Sequence, residues 1–572
     1  MTSLANPLAD LVWTTRYRYA GEPSIEATWD RVSRALAAAE LRDREPWARR
    51  FRAALEDFRF LPGGRILAGA GTGRRVTLFN CFVMGTLEDS LDGIFAALRE
   101  SALTMQQGGG IGIDFSPLRP RGARTDATGS TSSGPVSFMH LWNQMSETVA
   151  GTGPRRGAMM GTLACDHPDV EEFVAAKASP GALSHFNLSI LVSDAFMSAL
   201  ESDSPWTLRF PRSGIEHVTT ARAIWQSIVR HAYDSAEPGV LFIDRIRRED
   251  NLAYAETLNA TNPCGEVPLP PYGACNLGSL NLTRFVRDPF AAGARLDLAG
   301  LSEAAAVAAR MLDDVHAISG FPLPQQAQAA NASRRVGLGI TGLADALAML
   351  NLRYDSTEGR VAAAAAMRTI AEAAYATSIE LAQERGGFPL FDRKRYLASP
   401  FVARLPAHLR RGIEQHGIRN SHLTAIAPAG TISLLAGNVS SGIEPVFAPE
   451  YERTVRHADG SLSRVRVVSY ALAQWRKLRA GVPDVLTTAA TMRPEDQLAM
   501  QAALQPYVDN AISKTTNVPA DISFPEFAAI YRTAWAMGLK GCTIFRPNAV
   551  TGSILARPEP RCERCDALAA DL

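Results

Sequence analysis

Residues 261–280 read Thr-Asn-Pro-Cys-Gly-Glu-Val-Pro-Leu-Pro-Pro-Tyr-Gly-Ala-Cys-Asn-Leu-Gly-Ser-Leu. Within this stretch Asn262, Cys264 and Glu266 alternate along the chain, and alternate residues of an extended backbone point the same way. An amide, a thiol and a carboxylate would then converge on one volume, which is the outline of a reaction site. The prolines restrict φ and remove amide donors, while the glycines permit tight bends. We therefore predict a stiff loop inserted into a pocket rather than a sheet strand.

A single cysteine in such a stretch has a simpler interpretation, a proline-rich surface loop with an incidental buried thiol. Free Cys usually behaves as a small buried hydrophobe. Two further cysteines weaken that interpretation. Cys275 lies in the same stretch, and Cys81 lies far upstream in Leu-Phe-Asn-Cys-Phe-Val-Met-Gly.

The three cysteine segments together carry a family resemblance. Asn-Pro-Cys-Gly-Glu at 262–266, Gly-Ala-Cys-Asn-Leu-Gly-Ser at 273–279 and Asn-Cys-Phe-Val at 80–83 resemble ribonucleotide reductase in its adenosylcobalamin-dependent (class II) form. The resemblance implies reduction of ribonucleotides to 2′-deoxyribonucleotides. It also implies a ten-stranded α/β barrel of two antiparallel halves, each with five parallel strands, and a central finger loop that carries Cys264.

The rest of the chain independently favours an α/β domain. Alanine-rich helical stretches at 221–235, 301–318 and 357–385 are interleaved with short β-branched runs such as 189–192, a pattern typical of a largely parallel sheet. We predict three regions: an N-terminal helical lead-in at 1–57 without the ATP cone of many relatives, a barrel catalytic domain at 58–548, and a flexible redox tail at 549–572.

Composition narrows the class of protein. The 572 residues include 59 basic and 58 acidic side chains, a net charge of +1, so the basic footprint of a general nucleic-acid binder is absent. The amino-terminal residues show no apolar run typical of a signal peptide, and no later segment has about 18 uncharged apolar residues in a row. We expect no membrane partner and a cytoplasmic location. Seven cysteines are too few for a disulfide scaffold.

Two other motifs have structural interpretations. Residues 337–342 satisfy Gly-x-Gly-x-x-Gly. The segment before them is polar, and no acidic residue about 20 positions further on stands in a strand context, which speaks against dinucleotide binding. Cys165-Asp166-His167 precedes an acidic helix start, where Asp and His commonly act as cap or turn residues. We predict neither a nicotinamide site nor a metal site.

The resemblance implies a role for each residue of the reaction site. Cys264 would become a thiyl radical that abstracts the 3′-hydrogen of the ribose, Glu266 would act as general base on the 3′-hydroxyl, and Asn262 would orient the hydroxyls. Cys81 and Cys275, on the opposite face of the sugar, would deliver a proton to the departing water and two electrons. They would end as a disulfide.

Reduction of that disulfide requires a further thiol pair. Cys562 and Cys565 form a Cys-x-x-Cys near the end of the sequence, and such pairs commonly exchange disulfides. Half of a zinc knuckle is the alternative, although no second pair or histidine follows. We predict a swinging arm that is itself reduced by thioredoxin or a similar partner.

Two segments are predicted to bind the substrate. Residues 426–433 offer backbone amides and two hydroxyls ahead of an apolar stretch, which suits a phosphate nest or a helix N-terminus. They resemble the family's diphosphate cradle, with Ala429 in place of a threonine, and the segment from Ser132 resembles another part of the nucleotide site. A capped helix start is the alternative for each. The predicted substrate-binding residues are Asn80, Ser132, Ser133, Pro428, Ala429, Gly430, Thr431, Ile432 and Ser433.

The family also binds a deoxynucleotide or ATP effector that selects the base to be reduced. Asp89, Ser90 and Leu91 match its acidic effector motif, and Arg155 and Arg156 fall in one of its communicating loops. Arginines suit a triphosphate. Such regulation couples two sites and usually operates across a dimer interface, so we expect a homodimer.

Adenosylcobalamin is predicted as the radical source by elimination. The tyrosyl-radical class carries a Gly-Leu-Lys-Thr-x-Tyr-Tyr pattern, whereas residues 538–546 read Gly-Leu-Lys-Gly-Cys-Thr-Ile-Phe-Arg. No glycyl-radical motif follows. Two alternatives remain: a tyrosyl-radical (class I) large subunit that needs a metalloprotein partner, and a nucleotide sensor without turnover.

Overall fold

The computed structural model describes residues 4, 6–124, 129–150, 158–456, 462–548, 550 and 555–556. Within them the helices are α1 (Pro7–Val12), α2 (Ile25–Ala37), α3 (Arg44–Leu55), α4 (Gly64–Gly69), α5 (Leu91–Gln106), α6 (Pro135–Ala150), α7 (Val170–Ala175), α8 (Asp194–Glu201), α9 (Ala221–Ser235), α10 (Ile243–Arg248), α11 (Leu298–Ile318), α12 (Pro324–Ser333), α13 (Leu343–Met349), α14 (Thr357–Arg385), α15 (Arg393–Ala398), α16 (Pro400–Ala403), α17 (Ala407–His416), α18 (Gly430–Leu435), α19 (Tyr470–Trp475), α20 (Pro494–Leu504) and α21 (Phe524–Ala536). The strands are β1 (Phe60–Pro62), β2 (Cys81–Val83), β3 (Gly110–Asp114), β4 (Met159–Ala164), β5 (Phe186–Val192), β6 (Pro205–Phe210), β7 (Ile215–Thr220), β8 (Gly239–Phe242), β9 (Ala260–Thr261), β10 (Pro268–Leu269), β11 (Ala274–Asn281), β12 (Val286–Arg287), β13 (Arg295–Leu296), β14 (Val336–Thr341), β15 (Glu450–Arg456), β16 (Leu462–Val468), β17 (Thr515–Asn517), β18 (Gly541–Phe545) and β19 (Leu555–Ala556). None of these helices has both the length and the apolar sequence that a bilayer crossing needs.

Local chemistry explains where several elements begin. Ser90 and Thr220 cap α5 and α9 by accepting a hydrogen bond from a backbone amide of the first turn. Strands β4 and β14 are buried along nearly their whole length, as expected of parallel strands that are covered on both faces. The helices predicted at 221–235, 301–318 and 357–385 are confirmed as α9, α11 and α14.

One half of the barrel consists of five parallel strands in the order β2, β3, β4, β5 and β8. Strand β11 joins β2 in antiparallel fashion at one side, and β18 joins β8 in the same way at the other. The second half continues from β11 to its parallel neighbour β14, and from β18 to its parallel neighbour β17. The two halves therefore run in opposite directions.

A short irregular segment closes the ring between β14 and β17. Leu338 donates its amide to Leu423 O and accepts from Ala425 N, so this segment forms the strand next to β14. Ile426 is bridged in parallel to Ile512, and the chain from there leads into β17. Within the described residues the second half thus also has five parallel strands, and the predicted ten-stranded α/β barrel is confirmed.

The first two glycines of the Gly-x-Gly-x-x-Gly sequence lie inside β14, and the third, Gly342, stands at the turn into α13. A Cβ at Gly337 or Gly339 would press against Ala425 on the adjacent segment. These glycines therefore allow two strands of the barrel to approach closely.

The finger loop lies between β9 and β10, which pair in antiparallel fashion. Its first strand crosses β3 so closely that a Cβ at Gly112 would overlap the Thr261 carbonyl oxygen. The finger can therefore lie inside the barrel only because β3 has a glycine at this position. Residues of the finger and of the surrounding barrel strands form one apolar cluster: Cys81, Val83, Ala260, Val267, Leu269, Cys275, Leu277 and Ala425.

The N-terminal helices α2 and α3 pack on α11 of the barrel domain. Glu40, which follows α2 and is 1% exposed, forms ion pairs with Arg310 and Arg385. Arg385 also pairs with Asp313 and Asp314. Buried charges are tolerated when they are paired in this way, so this network attaches the helical lead-in to the barrel.

Candidate active site

The tip of the finger is a tight turn. Gly265 N donates to Asn262 O at 3.0 Å, and Val267 N donates to the Asn262 side-chain oxygen, also at 3.0 Å. Gly265 has a φ of +84°, which glycine adopts without strain. Asn262 and Glu266 are buried, whereas Cys264 is exposed. The finger is therefore a turn rather than an extended segment, and this turn places Cys264 at the tip.

Cys81 and Cys275 lie directly opposite each other on the antiparallel strands β2 and β11. Opposed residues of such a pair have Cα atoms about 4.5–5.5 Å apart, within the range of a disulfide. Both residues are buried free thiols. Two cysteines that are distant in sequence are thus close enough to form a disulfide.

The Cys81 thiol connects this pair to the finger. Asn262 Nδ2 donates to Cys81 Sγ at 3.2 Å, and Cys81 Sγ donates to Glu266 Oε1 at 3.9 Å. Glu266 Oε2 and the side-chain oxygen of Asn80 are buried, and neither has a hydrogen-bond partner in the part of the chain that the structure describes. Buried acceptors of this kind call for a partner, and a bound ligand could supply one.

Burial governs the protonation of these groups. It raises the pKa of the Glu266 carboxyl to about 7, although hydrogen bonds from Asn262 and Cys81 oppose the rise. It also raises the pKa of Cys81 well above the ordinary thiol value, and the charge of Glu266 adds to that rise. The pKa of Cys275 is likewise raised by burial. At neutral pH the two cysteines therefore carry their protons, and Glu266 can accept or release one.

Residues 428–433 lead into α18 and form its first turn. The two halves of the barrel run in opposite directions, so this start and the amino end of β2 lie at the same end of the barrel. The Ser433 hydroxyl donates to Gly430 O, and the Thr431 hydroxyl lies 2.6 Å from the Tyr17 hydroxyl. Tyr17 belongs to the N-terminal segment, and no pattern in the sequence pointed to it.

Ser132 and Ser133 lie away from the three cysteines. They precede α6, after the carboxyl end of β3, whereas Cys81 stands at the amino end of the parallel strand β2. The Ser132 hydroxyl donates to Arg119 O at 3.4 Å, and Arg119 pairs with Asp89 at 2.9 Å. The structure therefore groups Ser132 with the predicted effector residue Asp89. This position gives no support to the prediction that Ser132 and Ser133 bind the substrate.

Four predicted site residues lie outside the described residues: Arg155, Arg156, Cys562 and Cys565. The other two predicted effector residues are placed beside Asp89. Ser90 caps α5, and the Leu91 side chain is 65% exposed.

Cys165 and His167 have the surroundings of residues that serve the fold. Cys165 is buried, His167 Nε2 lies 2.9 Å from Leu118 O, and His167 Nδ1 accepts from Asp169 N at 3.0 Å. Both ring nitrogens of the histidine are thus used within the fold.

The open side of the finger tip fits a large cofactor. No atom of the described residues lies within 4 Å of the position that a Cβ of Gly265 would take, and the neighbouring Cys264 is exposed. Asn187 Nδ2 donates to Pro263 O at 2.7 Å, which ties the tip to β5. Strand β18 lies two strands from β5 in the sheet, and its Thr543 is exposed. Thr543 occupies a position where the tyrosyl-radical pattern has tyrosine. Open space and small polar side chains are therefore found on this side of the barrel.

Comparison with known proteins identifies the family. The chain matches the models "Ribonucleotide reductase, barrel domain" over residues 79–545 and "Ribonucleotide reductase, all-alpha domain" over residues 5–75. It is 41% identical over 559 residues to a vitamin B12-dependent ribonucleoside-diphosphate reductase of Mycobacterium tuberculosis, covering 93% of this chain and 77% of that protein. The protein of the same name from Thermoplasma acidophilum is 35% identical, with 88% and 66% covered. A ribonucleoside-diphosphate reductase subunit alpha of Chlamydia pneumoniae is 26% identical, with 91% and 57% covered. The chain therefore belongs to the ribonucleotide reductase family, in its vitamin B12-dependent branch.

Proposed function

We propose that this chain reduces ribonucleotides to 2′-deoxyribonucleotides, with adenosylcobalamin as the radical source. The observation that carries the proposal is the placement of Cys81, from a distant part of the chain, beside the stretch that carries Cys264 and Cys275. Cys264 stands exposed at the finger tip, while Cys81 and Cys275 face each other across β2 and β11. The relatives at 41% and 35% identity are named vitamin B12-dependent ribonucleoside-diphosphate reductases.

The finger residues carry out the first half of the reaction. Cys264, as a thiyl radical, takes the 3′-hydrogen of the ribose. Glu266, whose pKa of about 7 suits proton transfer near neutrality, removes the proton of the 3′-hydroxyl. Asn262 is held by Val267 N and Cys81 Sγ, so its amide is fixed in position to orient the substrate.

The cysteine pair carries out the second half. The raised pKa of Cys81 keeps its proton in place until the 2′-hydroxyl leaves as water. Cys81 and Cys275 together supply two electrons, and Cys264 returns a hydrogen atom to C3′. The pair then closes as a disulfide, for which the opposed positions on β2 and β11 are suited.

Adenosylcobalamin, when bound, supplies a carbon-centred radical through homolysis of its cobalt–carbon bond. The residues that would border it are Cys264, Gly265 and Thr543, on the open side of the finger tip. The Cys264 thiol is the one sulfur of the three that is exposed there.

The substrate phosphates are assigned to the start of α18. In the part of the chain that the structure describes, a Cβ at Gly430 would have no atom within 4 Å, which leaves room for a phosphate against the backbone amides. The Tyr17 contact holds the Thr431 hydroxyl at the same place. The names of the relatives specify diphosphates, and we adopt a ribonucleoside diphosphate as the substrate.

Effector binding is assigned to a homodimer. Helices α5 and α6 pack together and run parallel, since each connects parallel strands of the same half. Asp89 and Ser90 stand at the amino end of α5. A second copy of the chain that packs on these two helices would bring its own helix pair beside that end, as expected of a site that two chains share. We keep Arg155 and Arg156 as proposed ligands of the effector triphosphate.

An exposed apolar face supports the same assembly. Leu91 and Phe95 on α5 are 65% and 52% exposed, and Leu141 on α6 is 37% exposed. Exposed apolar groups that cluster on neighbouring helices mark an interaction surface, and a second copy of the chain would cover this one.

Cys562 and Cys565 are proposed as the arm that reduces the Cys81–Cys275 disulfide, with a thioredoxin-like protein as the external reductant. Residues Leu555–Ala556 pair with β15, which would anchor the arm a few residues before Cys562. None of the five cysteines in the described residues is part of a disulfide, which suits a reducing compartment such as the cytoplasm. We keep the division into a lead-in at 1–57, a catalytic domain at 58–548 and a redox tail at 549–572 as part of this proposal.

Turnover with purified protein tests the proposed function. The chain with adenosylcobalamin, dithiothreitol and a ribonucleoside diphosphate should yield the deoxynucleotide, and Cys264→Ala should abolish the product while nucleotide binding persists. Cys165→Ala, which removes another buried thiol, should retain activity. Turnover that needs a second subunit and ignores cobalamin would contradict the proposal, and a wild-type chain that binds nucleotides without turnover would indicate a sensor.

A further inference from the structure

A buried arginine stands behind the reducing cysteine pair. Arg335 immediately precedes β14 and is 1% exposed. Its guanidinium forms ion pairs with Glu256 and Asp250, and its Nε donates to His422 Nδ1 at 3.1 Å. None of these groups takes part in the chemistry proposed above.

The strand register places Arg335 beside Cys275. Strands β11 and β14 are parallel, with Asn276 opposite Val336. Cys275 and Arg335 are the preceding residues, and neighbours in register project to the same face of a sheet. A Cβ at Gly337, which shares that face, would lie 3.6 Å from Cys275 Sγ. The Cys275 thiol therefore lies on the side of β14 from which Arg335 projects.

The Arg335 guanidinium has a hydrogen-bond donor that a negatively charged sulfur could use. Its Nη1 is buried and has no hydrogen-bond partner among the described residues. Burial and the Arg335 charge hold the pKa of His422 well below its usual value, so this neighbour is neutral. Burial raises the pKa of Cys275, and Arg335 opposes that rise more strongly than Glu266 or Asp509 adds to it.

We propose that Arg335 is a positioning residue that stabilises Cys275 as the leaving thiolate when the Cys81–Cys275 disulfide is reduced, which directs the attacking thiolate to Cys81. The inference rests on the proposed function for the existence of that disulfide. It goes beyond it in assigning which sulfur is attacked and which one leaves.

The step balances as an ordinary thiol–disulfide exchange. A thiolate of the tail pair, or of an added dithiol, forms a bond to Cys81 Sγ. The Cys81–Cys275 bond breaks, and its electron pair remains on Cys275 Sγ beside Arg335. A proton from solvent restores the Cys275 thiol, which donates to Asn276 O at 3.3 Å in this structure. The second thiol of the reductant then displaces Cys81 and leaves as a disulfide.

The surroundings of the two sulfurs favour this direction. Cys81 contacts Asn262 and Glu266 of the finger, so it faces the space that a reductant enters after the product leaves. The charged neighbours of Cys81 raise its pKa, whereas the positive charge of Arg335 acts on Cys275. A sulfur with the lower thiol pKa leaves faster in exchange.

Trapping the mixed disulfide on the unaltered site tests the inference. A chain with Cys562→Ser and Cys565→Ser is oxidised by a single turnover and treated with 2-mercaptoethanol in the presence of iodoacetamide. Peptide mapping should find the mercaptoethanol disulfide on Cys81 and the carbamidomethyl group on Cys275. The reverse distribution would overturn the inference while leaving the proposed function intact. Absence of any Cys81–Cys275 disulfide after turnover would overturn both.

Substitution of the arginine gives a second test. Arg335→Gln should slow reduction of the oxidised chain by dithiothreitol by about tenfold or more, and Arg335→Lys should restore most of the rate. Arg310→Gln is the matched control, because it also removes a buried paired arginine but lies in the N-terminal network. Equal rates for Arg335→Gln and the wild type would overturn the inference. If Arg335→Gln does not fold, the trapping result decides.

Discussion

Glu266 sets the pH behaviour of the site at the scale of single residues. Its carboxyl has an ordinary pKa of 4.5, and burial raises it to about 7 in the folded chain. The folded state therefore holds this proton more tightly than the unfolded state. The resulting stabilisation is fully present below pH 4.5 and is lost as the pH rises through about 7.

Glu266→Gln should remove this pH dependence. Between pH 5.5 and pH 8 the wild type should lose about 2 kcal/mol of unfolding free energy that the variant keeps, as measured by urea unfolding at the two pH values. The same variant should lose roughly two to four orders of magnitude in turnover, since it lacks the base. An identical pH dependence of stability in both proteins would show that Glu266 is ionised in the folded chain at neutral pH.

The identity of the finger residues could be predicted from sequence, but their directions could not. The alternation of Asn262, Cys264 and Glu266 suggested one shared side. Gly265 instead turns the backbone at φ +84°, and a glycine in a sequence permits such a turn without requiring it. The contact between Tyr17 and Thr431 joins residues that are far apart in the chain, so no local sequence pattern could predict it.

At the scale of elements, the crossing of β9 over β3 holds the finger in place. Gly112→Ala should push Thr261 away and displace the tip. We expect a loss of about 100-fold in turnover, because a shift of about 1 Å in a reacting group has that order of effect. The expected loss of unfolding free energy is about 1–3 kcal/mol.

Turnover and urea unfolding of Gly112→Ala check this expectation. Gly293→Ala is the control, because a Cβ at Gly293 would meet no described atom within 4 Å, and it should behave as wild type. Full activity of Gly112→Ala would mean that the finger does not depend on this close crossing.

Some strands could be predicted and others could not. The apolar run at 189–192 is typical of a buried strand and lies in β5. The segment from Leu423 to Ile426 is followed by Pro428 and small residues. Its role as a barrel strand depends on backbone hydrogen bonds to β14 and a bridge to Ile512. Pairing between distant segments is a tertiary property, so the register that opposes Cys81 and Cys275 could be expected only through the family resemblance.

At the scale of the whole molecule, the exposed face of α5 predicts the assembly. Phe95→Asp would place a charge at the centre of the proposed dimer interface, where its desolvation is costly. Sedimentation should show a monomer at concentrations where the wild type is a dimer, and the response to effector nucleotides should be lost. Leu41→Asp, at another exposed leucine, should leave the dimer unchanged. A monomeric wild-type chain that still responds to effectors would contradict the dimeric effector site.

Two kinds of sequence information predict the barrel. Alternating helices and apolar strands indicate an α/β domain, and the cysteine segments indicate which one. The helices of the lead-in could also be predicted. Their attachment through Glu40, Arg310 and Arg385 could not, because ion pairs between distant segments produce no periodic pattern in a sequence.

The most direct measurement of the central claim is the product yield of a single turnover without external reductant. The pre-reduced chain with Cys562→Ser and Cys565→Ser, given adenosylcobalamin and a ribonucleoside diphosphate, should form about one deoxynucleotide per chain, and peptide mapping should show one disulfide between Cys81 and Cys275. Formation of product with both thiols still free, or with a disulfide elsewhere, would contradict the claim that these two sulfurs donate the electrons.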